Sequence, residues 1–293
     1  MDAMFCGVGC ALVTPFRDGR VDFDAFRALI DRQTAAGTDA LVVLGTTGEP
    51  PALTEDEMGG LVRCARARAK QSVPVIAGVC ANATQTAVRR ARLMRDCGAD
   101  ALLCVTPYYN RANKEGLLRH FTEIADAADA PVILYNVPSR TGVNLLPETA
   151  EALSRHPNIR GIKEANPDIS QLASLISACG NDFFVYAGND EHIPAAIAMG
   201  ARGAISVVAN VAPAETNALA RAALEGNRAR TTELYYRLWP LMRALASDIN
   251  PIPVKAALHL MGLISDELRL PLTPLPAEKR AQLRRALAAC GLA

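Results

Sequence analysis

Val73-Pro74-Val75-Ile76-Ala77, then Thr84–Cys97, then Ala101-Leu102-Leu103-Cys104-Val105 make one repeating unit: an apolar run, an amphipathic stretch and a second apolar run. The runs are apolar without interruption, which fits parallel strands buried on both faces rather than a half-exposed sheet. The stretch between them is amphipathic and long enough to be the crossover helix that parallel strands need. The same alternation extends both ways from this unit. Cys10–Val13 and Ala40–Leu44 read as strands before it, and Val132–Tyr135, Asn158–Ile162, Phe183–Tyr186 and Gly203–Val207 after it. Phe23–Ala36, Glu55–Lys70, Lys114–Ala128 and Ser170–Cys179 carry further helical patterns. About eight such units over about 225 residues predict a (β/α)₈ TIM barrel in the α/β class. An open doubly wound sheet is the runner-up, and the lack of Gly-x-Gly-x-x-Gly after the first strand counts against its dinucleotide-binding form.

Past Gly226 the strand pattern stops. Arg228–Ala246, Pro253–Met261 and Pro276–Ala289 read as helices, broken at Asn250-Pro251 and at Pro271, Pro274 and Pro276. The expected organisation is a catalytic barrel over 1–226 and a C-terminal helical domain over 227–293, with no Gly/Ser-rich linker between them.

The bulk properties narrow the function. Of 293 residues, 50% are hydrophobic and 21% charged, enough for a large core. The formal net charge of +1 gives no electrostatic reason to expect nucleic acid or an anionic membrane as a partner. No apolar run approaches the roughly 20 residues of a membrane span, and Asp2 stands where a signal peptide would carry basic residues. Cys6, Cys10, Cys64, Cys80, Cys97, Cys104, Cys179 and Cys290 form no Cys-x-x-Cys pair, so a reducing cytoplasm is the simplest setting. His120, His156, His192 and His259 are scattered without ligand spacing, so no metal site is expected.

Lys163 ends the apolar run Asn158-Ile159-Arg160-Gly161-Ile162. A buried ammonium is costly unless it is paired or gives up its proton, and an unprotonated amine there would attack ketones to form Schiff bases. Lys70, Lys114 and Lys279 lie in polar, helix-like stretches, and Lys255 is a weaker rival. Because strand side chains alternate, Glu164 should face away from Lys163 and need not hold it protonated.

In a barrel, residues just after the strands gather at one face. Gly45-Thr46-Thr47-Gly48-Glu49 could seat a carboxylate on amides and hydroxyls, or simply turn the chain. Tyr108-Tyr109 could act in catalysis or pack at a subunit contact. After the fifth run, Tyr135 could shuttle a proton or cap the core, and Arg140 could grip a carboxylate or lie solvated. Ala187-Gly188-Asn189-Asp190 and Ile205-Ser206 could line the mouth through backbone groups.

Each motif is weak alone. Together and in order, Gly45-Thr46-Thr47-Gly48-Glu49, Pro107-Tyr108-Tyr109-Asn110, the segment from Tyr135 to Gly142 and Gly161-Ile162-Lys163-Glu164-Ala165 closely resemble the dihydrodipicolinate synthase family. That family lies within the pyruvate-dependent, Schiff-base class I aldolase superfamily. The resemblance spans essentially the whole chain, including Asn250-Pro251-Ile252-Pro253-Val254-Lys255. It implies a lyase that condenses pyruvate with L-aspartate 4-semialdehyde at the opening step of diaminopimelate and lysine synthesis. It also implies a homotetramer built as a dimer of dimers. Residue by residue, it implies Lys163 as the Schiff-base lysine, Tyr135 as the proton-moving phenol, and Thr46 as its link to Tyr109 of a neighbouring subunit. It implies that Thr47 holds the pyruvate carboxylate, Arg140 grips the aldehyde's carboxylate, and Gly188 and Ile205 make backbone contacts. No cofactor is implied, because the protonated imine itself stabilises the carbanion.

The sequence departs from the family pattern at Asn189, where aspartate is common, and at Pro50-Pro51. Of the lysine feedback site of sensitive relatives, Asn82, Tyr108 and Glu49 are present. Glu55, Met58 and Thr86 replace histidine, a histidine or similar polar group, and glutamate, which implies weak or absent lysine inhibition. N-acetylneuraminate lyase and 2-keto-3-deoxy sugar acid aldolases share the lysine and tyrosine, and Ser139-Arg140-Thr141 favours a small carboxylated aldehyde over their sugars. A silent structural homologue and a pyridoxal phosphate enzyme are the readings from other classes.

Overall fold

The apolar runs become strands because each can bury both faces: one set of side chains fills a barrel, the other meets a surrounding ring of helices. In a computed structural model, describing residues 4–71 and 73–292, β1 (Gly7–Ala11), β2 (Ala40–Val43), β3 (Val75–Val79), β4 (Ala101–Val105), β5 (Val132–Asn136), β6 (Ile159–Glu164), β7 (Phe184–Ala187) and β8 (Gly203–Ser206) form a closed parallel barrel. Each strand pairs with its neighbours in sequence, and β8 closes onto β1. The two-residue period sorts the side chains. Ala40, Val42, Ala101, Leu103, Ile133 and Tyr135 point inward, while Leu41, Val43, Leu102, Cys104 and Leu134 pack outward against helices. Near its N-terminal end the interior is filled by Phe5 stacked on Tyr186, ring centroids 4.3 Å apart, with the Tyr186 hydroxyl donating to the Phe5 carbonyl.

The outer ring comprises α1 (Phe23–Ala35), α2 (Glu55–Arg68), α3 (Thr84–Asp96), α4 (Lys114–Ala128), the short α5 (Pro138–Thr141), α6 (Pro147–Ser154), α7 (Ile169–Cys179), α8 (Ile193–Ala198) and α9 (Pro213–Leu224). Helix α2 starts on a capping box: Thr54 accepts from the Glu57 amide, and the Glu57 carboxylate accepts from the Thr54 amide. After Gly226 follow α10 (Arg228–Leu245), α11 (Ile252–Leu260) and α12 (Ala277–Ala289), packed on α9 and on one another. These ends fall within a residue of those expected from the sequence. The hairpin of Phe16–Arg17 with Arg20–Val21 and the helices α5, α6, α8 and α9 are not among the segments read from the sequence; the hairpin and α5, α6 and α8 are too short to carry a measurable period, whereas α9 is not.

His120 on α4 is buried, with its Nδ1 2.9 Å from the Thr84 hydroxyl on α3. Burial pushes its imidazole down to about 4 from the ordinary 6.5. Between those values the unfolded chain binds the proton and the folded chain does not, so this site lowers stability as pH falls from about 6.5 toward 4. The full effect is on the order of 3 kcal/mol. Urea unfolding of His120→Gln and the parent across that window should show the difference between them shrinking as pH falls. A constant difference would refute the assignment.

Candidate active site at the C-terminal rim

Tyr135, Lys163 and Tyr186 stand side by side on β5, β6 and β7, in register. Lys163 is 4% exposed, and its Nζ lies over the Tyr135 ring, 4.4 Å from the centroid. Among the described residues no carboxylate comes within ion-pair distance of this amine. The next residues along, Asn136 and Glu164, face the opposite side and lock together there. The Glu164 carboxylate accepts from the Asn136 amide at 3.0 and 3.1 Å, from the Asn166 backbone at 2.6 Å and from Gln171 at 3.2 Å. Burial pushes the Glu164 carboxyl above its ordinary range, against the pull of these donors. The alternation expected from the sequence therefore holds: the amine points inward and its neighbouring carboxylate outward.

Lys255 is buried as deeply as Lys163, but its Nζ lies 2.7 Å from Glu49 Oε1 and donates to the Thr14 carbonyl at 2.9 Å. Burial pulls its pKa down and the Glu49 carboxylate opposes that. A paired lysine is structural, whereas an unpaired one in a cleft is available for chemistry.

The turn after β2 folds as two 3₁₀ segments, Thr46–Gly48 and Pro50–Ala52, with Glu49 between them in the left-handed region at φ 54°. Gly78 on β3 makes room for it: a Cβ there would sit 1.9 Å from the Leu44 carbonyl oxygen. Thr47 is buried and its hydroxyl accepts from the Asn250 side chain at 3.0 Å. Arg140, on the one-turn helix α5, lies exposed at the rim and donates to the Asn250 carbonyl at 3.1 Å. Gly188 donates its amide to the Glu164 carbonyl at 2.7 Å, and a Cβ there would come within 2.8 Å of that same oxygen.

These groups line one cleft of about 280 Å³: Thr46, Thr47, Tyr135, Arg140, Lys163 and Gly188 share its wall, and Met242, Leu245 and Ile249 form an apolar side. A second, mainly apolar cavity of about 180 Å³ adjoins it through Thr46, Tyr135 and Arg140 and extends to Tyr108 and Cys80. Burial pushes the Tyr108 phenol up to about 12. Two candidate residues stand apart. Tyr109 is 90% exposed, with φ 74°, and lines neither cavity of its own chain. Ile205 is fully buried in the barrel interior and is not on the cleft wall.

Asp190 is a cleft residue that motif reading reduced to a backbone contact. Its Oδ2 accepts from the Val207 and Val208 amides, both at 3.1 Å. Burial pushes its carboxyl up, while the Ser206 hydroxyl first, then these amides and the charge of Lys163, pull it back. Its place just after β7 was the available signal. Glu49, which the resemblance groups with Asn82 and Tyr108, commits its carboxylate to Lys255 and to the Arg269 amide. Met58 is buried in the core, and Glu55 pairs with Arg89 at 3.0 Å and Arg90 at 3.6 Å.

The fold and the cleft together define a (β/α)₈-barrel enzyme built around an unpaired lysine at the C-terminal ends of its strands. The profile of the Dihydrodipicolinate synthetase family matches residues 4–290, and the chain belongs to that family. It is 46% identical over 280 residues to the 4-hydroxy-tetrahydrodipicolinate synthase of Alkaliphilus oremlandii, covering 96% of this chain and 97% of the relative. The crystal structure of dihydrodipicolinate synthase from Thermotoga maritima superposes with a TM-score of 0.98 at 43% identity, covering 99% of this chain and all of that one. The chloride-inhibited dihydrodipicolinate synthase of Acinetobacter baumannii, solved in complex with pyruvate, superposes at 0.96 with 41% identity, covering 98% and 99% of the two chains.

Proposed function

We propose that this chain condenses pyruvate with L-aspartate 4-semialdehyde, the 4-hydroxy-tetrahydrodipicolinate synthase reaction of diaminopimelate and lysine synthesis. The observation that carries this reading is a buried lysine without a carboxylate partner among the described residues, in register with Tyr135 and facing the Thr46–Thr47 turn across one cleft. In its unprotonated form the Lys163 amine attacks the C2 carbonyl of pyruvate. Loss of water leaves a protonated imine, with protons moved through Tyr135, Thr46 and a Tyr109 supplied by a second copy. The imine then draws electrons from the methyl C–H bond, a proton departs and an enamine forms. Its terminal carbon attacks the aldehyde, whose carboxylate Arg140 grips as a fork. Finally the substrate's own amine displaces Lys163 and closes the ring.

Thr47 and neighbouring amides hold the pyruvate carboxylate in this reading, and Gly188 contributes a backbone group. The exposed Tyr109 fits a role in trans, and with it a homotetramer made of two dimers. A barrel over 1–226, a helical domain over 227–293 and a cytoplasmic location complete the reading; no helix among the described residues is long and apolar enough to cross a membrane.

Borohydride added with pyruvate should fix a covalent adduct that peptide mapping places on Lys163. Turnover on aspartate semialdehyde should far exceed cleavage of sialic acid, and the reverse order would favour a sugar acid aldolase. With Thr86 where sensitive relatives carry glutamate, an inhibitory lysine's ammonium lacks a carboxylate partner, so activity should persist at lysine concentrations that half-inhibit sensitive bacterial enzymes. Half-inhibition at low lysine would overturn that expectation.

A further inference from the structure

The Thr46–Thr47 turn is held from behind by the C-terminal segment. Glu49 ends the first 3₁₀ segment and begins the second, in a left-handed conformation that a residue with a Cβ adopts only when its surroundings enforce it. What surrounds it is Lys255 of α11. The pair is closed to solvent, its partners lie 206 residues apart in sequence, and their separation is 2.7 Å. Two further contacts meet there. The Lys255 ammonium lies 4.2 Å from the centroid of the Phe16 ring, and the Arg269 amide donates to the other Glu49 oxygen at 3.2 Å. On the same turn, the Thr14 hydroxyl donates to the Gly48 carbonyl at 2.8 Å, while the Lys255 ammonium donates to the Thr14 carbonyl. One ammonium thus touches both the carboxylate within the turn and the strand-end residue that braces it.

A buried ion pair is weak evidence for stability, since an apolar pair of similar volume is often as good. It does fix geometry, because a carboxylate with two donors has few places to go. We infer that the Glu49–Lys255 pair is a positioning device through which α11 sets the Thr46–Thr47 turn, and with it the seat for the keto acid's carboxylate. The inference rests on the proposed function and adds residues that never touch substrate.

The test is the double variant Glu49→Leu with Lys255→Met, which removes both charges and fills their volume. The drop in its urea midpoint should fall well short of that for Lys255→Met alone, which strands a buried carboxylate; the double variant deprives only the neutral Arg269 amide and Thr14 carbonyl of these partners. If the pair positions the turn, the pyruvate concentration giving half-maximal borohydride trapping rises about tenfold in the double variant. The KM for the aldehyde changes less than about twofold. Tenfold corresponds to about 1.4 kcal/mol. Glu49→Gln, which keeps the shape and one acceptor for Lys255, should show a smaller rise in the same direction, and it carries the test if the double variant does not fold. A folded variant that traps pyruvate at the parent's half-saturation overturns the inference. A parent protein that traps no pyruvate would instead sink the functional reading.

Discussion

Lys163→Ala protein treated with pyruvate and borohydride acquires no adduct, and its turnover falls by about 10⁴-fold or more, the scale of losing a covalent nucleophile. No other lysine can substitute. Lys255 is tied to Glu49 and Lys279 to Asp248 at 2.5 Å, while Lys70 and Lys114 are exposed on the helical layer. The fold should tolerate the change, because Lys163 gives up no ion pair and one buried amine is removed from an apolar setting. Intact-mass measurement after trapping, with a urea melt as the folding control, reads both halves. An adduct on the Lys163→Ala chain, or full activity without one, would refute the covalent mechanism.

Tyr135→Phe lowers kcat by about 10²–10³-fold, within the range of a lost general acid–base group. The ring is 6% exposed and lies beneath the Lys163 amine, so phenylalanine keeps the packing and removes only the hydroxyl. The half-saturation for pyruvate should therefore move little while the rate of adduct formation drops. Tyr135→Leu, which removes the ring as well, should disturb both. Equal kinetics for the parent and Tyr135→Phe would transfer the proton-moving role elsewhere, with Asp190 an alternative on the cleft wall.

The barrel was legible because a strand buried on both faces writes a continuous apolar run, and a helix of thirteen residues repeats its pattern several times. The same physics made Lys163 readable: a two-residue period puts the amine and Glu164 on opposite faces whatever the neighbours are. What escaped depends on partners far along the chain. Lys255 looks in sequence like a poorer Lys163, and only Glu49, brought from the other end of the molecule, shows it to be a brace. Asn250, which donates to Thr47 and accepts from Arg140, lies in a segment read as a helix break and as part of the family resemblance, with no role at the cleft. Asp190 was hidden for another reason. A carboxylate after a strand usually meets water, and this one meets two backbone amides instead. Tyr109, whose role only the family resemblance names, stays unassigned within a single chain because its ring faces outward.

The Phe5–Tyr186 stack fills the barrel interior beside the strand position of the reactive amine and makes it a blind alley. Traffic must then use one doorway, and a keto acid tethered at the far end has to arrive before the aldehyde can be stacked above it. Raising the aldehyde concentration should slow turnover by occupying the passage ahead of pyruvate, and added pyruvate should relieve the blockage.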